Sequence, residues 1–429
     1  MTSTTASETT EDAGLTSLLY DPKARGLLFQ VLLLTAVVAF FAWILDNTIT
    51  NLATQGKKSG FGFLGETSGF RMLTTLGTYV MEARAGVATY FDVFWIGVIN
   101  TLIVSFVGII AATLLGFLMG IFRLSSNVVL RGFATVYVEL LRNIPLLLQI
   151  FFWYFVVLRA LPDKRTPGMS LGIFGEFPMN VTGLYASYPV FLEGFSSVVW
   201  AFLAACVLAW VISWLATKRQ EATGKQFPAF WFGLLIIIAI PLFVFYQMGA
   251  PAEWEPARFL GVGDPILGPD GEPTGRTASK IKAGYVPGEG IVIKPEFIAL
   301  WLALSLYTAS FIAEIVRAGI LAVPGGQTEA AKALGISPNV TLRKVIIPQA
   351  MRVIIPPLTS QFLNLTKNSS LAIAIAYPDL VSIFAGTALN QVGQEIEMIF
   401  MMMMVYLIIS LGTAAFMNWF NDRMMLVER

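Results

Sequence analysis

Two groups of residues in this chain have types and spacing that could do work. The first is a polar stretch between apolar ones, Glu329-Ala330-Ala331-Lys332-Ala333-Leu334-Gly335 through Val345-Ile346-Ile347-Pro348. Glu, Ala, Lys and Leu favour helix, so 328–334 reads as a short helix, and Gly335 stands where a left-handed residue would end it. Ala330, Ala331 and Ala333 make a small-residue face that lets a partner's backbone come close. Glu329 lies near the helix N-terminus, where the dipole favours negative charge. A second short helix can follow before Pro348. The alternative is an amphipathic surface turn with good caps.

The second group interrupts an apolar run. Gln361, Asn364, Lys367, Asn368 and Ser369 are flanked by Pro356-Pro357 and Pro378. A Lys at bilayer depth costs about 2.5 to 3.5 kcal/mol on insertion scales, so such groups face a cavity or a partner. Gln361, Asn364 and Asn368 fall at i, i+3 and i+7, one helix face, with Lys367 beside them. They are candidates for a substrate pathway, with structural bonding to neighbouring helices as the alternative. Glu314 and Arg317, at i, i+3, can pair and lower one another's desolvation cost, which favours a structural role over substrate contact. Arg142, three residues before Pro145, could guard an inner mouth.

The elements that must position these residues are membrane spans. The chain has 429 residues, 56% hydrophobic and only 13% charged, against about a quarter charged in soluble globules. It is therefore a polytopic membrane protein. Eight apolar stretches are near the length of about 20 residues that crosses a bilayer: 27–45, 94–122, 134–158, 196–216, 229–247, 297–320, 351–377 and 396–419. In the second of them, Gly108, Ala111, Ala112, Gly116 and Gly120 let helices pack backbone to backbone.

Loop charge gives the orientation. Short linkers holding Arg123 and Arg131, then Lys218, Arg219 and Lys225, then Lys332, Arg343, Lys344 and Arg352 are basic for their length. Placing them in the cytoplasm puts both termini inside and three long connections outside. Lys57, Lys58, Arg258, Lys280 and Lys282 then fall outside, in long loops that weigh little under that rule. Residues 1–12 are Ser, Thr and acidic, a tail with nothing to bury. The third external segment is rich in Gly and Pro, which supports turns and short hairpins, either as a small cap over the outer mouth or as an unstructured tether.

Composition also excludes chemistry. With no histidine there is no His-based metal site, Ser-His triad or His proton shuttle within the chain. Gly56-Lys57-Lys58 and Gly224-Lys225-Gln226 both lack the hydroxyl that would hold magnesium in a phosphate-cradling loop, so nucleotide hydrolysis must come from a partner. Cys206 alone rules out an intrachain disulfide and reads as a packed small hydrophobe. Met401 to Met404 read as adaptable packing. A net charge of +1 gives no field that would recruit nucleic acid.

The polar stretch from Glu329 to Pro348 resembles the cytoplasmic coupling loop of ATP-binding-cassette importer permeases, with Val345 and Ile347 in place of the usual Ile and Leu. The segments 137–149, 313–320 and 356–372 resemble polar amino-acid permeases of the histidine/glutamine type. The long layout is similar to the first permease subunit of bacterial general L-amino-acid transporters, the Aap/Bzt type. The resemblance implies an all-α integral membrane protein of about eight transmembrane helices with a five-helix type I importer core.

On that basis residues 1–26 are a cytoplasmic tail, 27–45 an extra transmembrane helix and 46–93 a periplasmic loop. Residues 94–159 and 297–429 are the two parts of the core, with the coupling loop at 321–350. Residues 160–296 are an insert with two transmembrane helices and periplasmic loops. Glu329, Ala330, Ala331, Gly335 and Pro348 would carry ATPase coupling; Gln361, Asn364, Lys367, Asn368, Glu314, Arg317 and Arg142 are the pathway candidates.

The implied partners are a second, related permease subunit, two ATPase subunits and a periplasmic amino-acid-binding protein, in a bacterial inner membrane. The chain itself would be a transport subunit rather than an enzyme and bind no cofactor, with ATP and Mg2+ held by the ATPase. The rival readings are an ion-coupled secondary carrier and a membrane enzyme acting on lipid-linked substrates. Few carboxylates within the spans count against the first, and the lack of catalytic clusters counts against the second.

Overall fold

The computed structural model describes residues 22–424 except 55, 57–59, 71–74, 81–87, 167, 172–176, 225–226, 256, 268–272, 280–282 and 287–289. The acidic tail at 1–12 and Lys57, Lys58, Lys225, Lys280 and Lys282 lie outside the described residues.

Helix α1 (Pro22–Thr54) exposes its apolar side chains along its whole spanning length. The core is built on α2 (Tyr90–Arg123) and α7 (Pro295–Leu321). Helix α2 starts in a capping box: Thr89 N–H donates to the Asp92 carboxylate at 2.8 Å and Asp92 N–H to the Thr89 hydroxyl at 3.3 Å. Gly116 and Gly120 of α2 face Ile312, Ala313 and Val316 of α7, so the small-residue stripe works as a close-packing face. Val104, Leu304, Ile312, Ile354 and Leu365 fill the space between α2, α7 and α10 (Ile347–Asn368).

Two of the eight expected spans are not straight rods. Helix α3 (Val128–Asn143) stops before Ile144-Pro145, where proline forces an extended preceding residue. The chain then turns by 107° into α4 (Leu146–Phe151) and its continuation to Ala160. Gln149 holds this corner, its amide donating to the carbonyls of Leu141 and Ile144 at 2.9 Å each. The segment expected at 134–158 is thus a bent pair.

The second broken segment is α10. It carries Pro356 and Pro357, tightens to a 3-10 stretch Ser369–Ile375, and is interrupted where Ala376 adopts a left-handed φ of 55°. A π-helical stretch Ser382–Ala388 leads into α11 (Leu389–Val392), and α12 (Glu395–Met424) returns. Among the described residues, six helices are long and apolar enough to cross a membrane, or seven with the bent pair counted. Helix α10 is not one of them, because its polar face dilutes the apolar run.

Two further spans, α5 (Phe195–Thr223) and α6 (Ala229–Gln247), pack against each other as a hairpin. Cys206 is half-buried in α5.

The long segments on either side of this hairpin pair as antiparallel strands. Strands β1 (Met169–Leu171), β2 (Phe177–Asn180), β3 (Gly183–Ala186) and β10 (Ile291–Ile293) form a sheet in the order β1-β2-β3-β10. Strand β4 (Tyr188–Phe191) pairs with β5 (Ala252–Glu255), setting Val190 opposite Glu253. Between β5 and β10 lie β6 (Phe259–Leu260), β7 (Pro265–Leu267), β8 (Pro273–Thr277) and β9 (Gly284–Tyr285), as the pairs β6–β9 and β7–β8. Tyr185 stacks on Tyr285 at 3.7 Å. The segment after the hairpin is therefore a small β structure joined to the segment before it, and the unstructured-tether alternative does not hold for the described residues.

Candidate functional site: coupling loop, ion-pair cluster and broken helix

The loop expected to couple leaves α7 through Ala322 to Pro324 and forms α8 (Gly325–Ala333), three residues longer at its start than the sequence predicts. Gly335 takes φ +70°. Gly335 N–H donates to Lys332 O at 2.9 Å and Ile336 N–H to Ala331 O at 3.0 Å, the paired bonds of a Schellman end. A second short helix, α9 (Pro338–Thr341), follows and passes through a π-helical turn, Leu342–Ile346, into α10.

Helix α8 has one narrow buried face and a wide exposed one. Ala331 is buried against the rest of the loop, while Glu329, Ala330, Ala333 and Gly335 are exposed. Leu334 is 77% exposed, a large apolar side chain held out by a rigid helix end. Pro348 sits half-buried in the first turn of α10. The loop is a preformed knob whose apolar tip has no cover within the described chain.

Glu314 and Arg317 pair as their spacing requires, with Arg317 Nη2 at 2.5 Å from Glu314 Oε1. Sequence reading missed their third partner. Arg123, at the end of α2, bonds Glu314 Oε2 through Nη1 and approaches Glu139 of α3 at 3.6 Å through Nη2. The cluster ties α2, α3 and α7 together near the C-terminal ends of α2 and α7. Arg142 is exposed, with its guanidinium carbon 5.2 Å from the Phe311 ring centroid in a cation–π contact. No hydrogen bond or ion pair among the described residues links this cluster to the amide group on α10.

On α10 the polar residues divide by face. Asn364 and Lys367 are exposed, in line with Pro357 and Ser360 at i, i+3, i+7 and i+10, whereas Gln361 and Asn368 are half-buried. Opposite them Ile354, Leu358 and Leu365 are buried in the core. Lys367 opens on a cleft of about 650 Å³ lined largely by apolar groups of α12, including Phe400, Met402 and Met403. Among the described residues there is no group of three or more His, Cys, Asp or Glu side chains placed to hold a metal.

Below α10 the interruption is held by a buried polar network that the sequence reading passed over. Asp379, fully buried, accepts from Ser382 N–H at 2.8 Å and so caps the helix that leads to α11. Asn100 of α2 donates to Pro378 O at 2.8 Å and accepts from Gly77 N–H at 2.8 Å. Leu380 N–H donates to Thr101 at 3.1 Å, and Tyr377 to Asn100 O at 3.3 Å. The signal in the sequence was Pro378-Asp379 ahead of an apolar run, a helix-start pattern just past the end of the span expected at 351–377.

A family profile described as the binding-protein-dependent transport system inner membrane component matches residues 222–426. The General L-amino acid transport system permease protein AapQ of Rhizobium johnstonii is 46% identical over 96% of this chain and 95% of its own length. The putative amino-acid ABC transporter permease protein YhdX of Escherichia coli K12 is 46% identical over 95% of this chain and 96% of its own. BztB of Rhodobacter capsulatus, a glutamate/glutamine/aspartate/asparagine transport system permease, is 36% identical over 97% of both chains. Likeness of this extent spans the helical core, the extra N-terminal helix and the insert alike. The chain belongs to the family of ABC amino-acid transporter permeases, the binding-protein-dependent inner-membrane components.

Proposed function

We propose that this chain is the translocation subunit of an ATP-driven importer of L-amino acids, working by alternating access with both termini in the cytoplasm. It pairs with a second, related permease, two ATPase subunits that hold the ATP and Mg2+, and a periplasmic amino-acid-binding protein. The observation that carries this reading is the α8 knob, with Leu334 77% exposed beside exposed Glu329, Ala330 and Ala333. A groove on one ATPase seats that knob, and the second permease engages the other. Closure of the ATPases on ATP pushes α8, and the short rigid path through α9 and Pro348 passes the motion to α10. Asn364 and Lys367 then lie on the face that meets the second permease and the moving substrate.

The experiment is purification of the chain from its own membrane, identification of co-eluting subunits, and uptake of labelled L-amino acids into proteoliposomes with and without ATP. ATP-dependent uptake with ATPase subunits in the complex is the expected result. Full uptake without any ATPase would assign the chain to ion-coupled carriers instead.

A further inference from the structure

Two cavities at the outer end of the core share a wall made by Val181, Pro295 and Glu296. One, of about 300 Å³, is also lined by Tyr154 and Arg159. The other, of about 240 Å³, is also lined by Thr182 and Lys294 and reaches Ala376 and Pro378 at the interruption below α10. The wall comes from three places: the end of the bent pair, the turn between β2 and β3 in the insert, and the start of α7. The insert turn is fixed there, since Val181 N–H donates to Pro162 O at 3.0 Å and Thr182 N–H to Asn180 Oδ1 at 2.9 Å.

The charges in this outer cleft are of both signs and are not spent on each other. Tyr154 donates to Glu296 Oε1 at 3.0 Å, which orients the carboxylate and leaves Oε2 without a hydrogen bond among the described residues. Arg159 rests its guanidinium carbon 5.9 Å from the ring centroids of both Tyr154 and Phe155. A cation–π contact of that kind, together with the neighbouring Tyr154 side chain, positions a guanidinium that has five N–H groups and so retains donors for a ligand. Among the described residues neither Arg159 nor Lys294 has a carboxylate within ion-pair distance.

We propose that this cleft is a binding site for the zwitterionic head of a free α-amino acid, with Glu296 receiving the α-ammonium and Arg159 and Lys294 the α-carboxylate. A guanidinium matches a carboxylate with two parallel hydrogen bonds, and a carboxylate matches an ammonium with a charge-assisted one. The cavity volume is at the lower end for small-molecule sites, which suits a ligand of this size. Both anchors grip groups that every α-amino acid has, so side chains of different sizes are accepted with little discrimination. The site rests on the amino-acid transport reading and adds to it an outer station, completed by the insert, upstream of the α10 face.

The test uses the intact assembly purified from its own membrane, placed in nanodiscs without binding protein, and equilibrium binding of radiolabelled L-glutamine. Saturable binding is expected for the wild type, weakened about tenfold in Glu296→Gln and in Arg159→Gln, with no loss of co-purifying ATPase. Unlabelled glutaramate, which lacks the ammonium, and 4-aminobutanamide, which lacks the carboxylate, should both fail to compete. Absent wild-type binding, unchanged affinity in both variants, or full competition by either analogue would overturn the site. ATP-driven uptake by the wild type, run in parallel, separates the two proposals: a wild type that imports amino acids while its variants bind as well as it does removes this site alone.

Discussion

Gly116 of α2 and Ile312 of α7 are in such close apposition that a Cβ added at Gly116 would lie 2.5 Å from the Cβ of Ile312. The two helices meet backbone to side chain there, and the same approach recurs one turn on at Gly120, where an added Cβ would lie 2.8 Å from Ala313 O. Gly116→Val must push α2 away from α7 or displace a fully buried Ile312. Overpacking of this kind costs about 1–3 kcal/mol. The expected result is a lower thermal midpoint and less monodisperse protein on size exclusion, whereas Gly132→Ala, on an open face of α3, should change neither.

The knob makes a prediction that separates folding from coupling. Leu334→Asp removes an exposed apolar tip without touching the core, so the thermal midpoint should hold while ATPase co-purification and uptake fall at least tenfold. Gly335→Val acts by another route, forcing a β-branched residue into φ +70° at a cost of about 1–2 kcal/mol and loosening the end of α8. Both variants retaining full ATPase in the complex would show that the partner docks elsewhere.

Where α2, α3 and α7 meet, Glu314 is the shared acceptor of Arg123 and Arg317. The Arg123 side chain is only 14% exposed, so Glu314→Gln leaves it with Glu139 alone, at 3.6 Å. The cost is about 1–2 kcal/mol once partial solvent screening is allowed for. A double-mutant cycle with Arg123→Gln should return part of that loss, which checks that the two act on each other.

Asn364→Ala and Lys367→Ala, on the exposed face of α10, should change the rate or concentration dependence of uptake by about tenfold with subunit composition unaltered. Dissociation of the complex in both variants would assign these side chains to subunit contact instead.

Much of this architecture was legible in the residues. Glu329 to Gly335 announced a short helix with a left-handed stop, and Gly116 and Gly120 announced a close helix contact, because both signals are local and carry their own geometry. The Glu314–Arg317 pair followed from spacing on one helix. Arg123 escaped notice because its partner is distant in sequence and only the packing of α2 on α7 brings them together. Span counting went furthest from the structure at Pro145 and at the break from Ser369 to Ala376. Hydropathy averages over a window and runs straight through a corner that two or three residues impose. The strand pairing of the insert was the least visible, since Gly- and Pro-rich segments signal turns but not which distant strand, such as β10 against β3, will complete the sheet.

The left-handed Ala376 and the capping Asp379 make one segment of this chain two stiff pieces joined by a pivot. A continuous rod pushed at its α9 end would tilt as a whole. Asn100 and Thr101 tie the second piece to α2 through Pro378 and Leu380, and Ser382 closes its own cap on Asp379, so on the transport reading proposed above the first piece could swing while the second stays anchored.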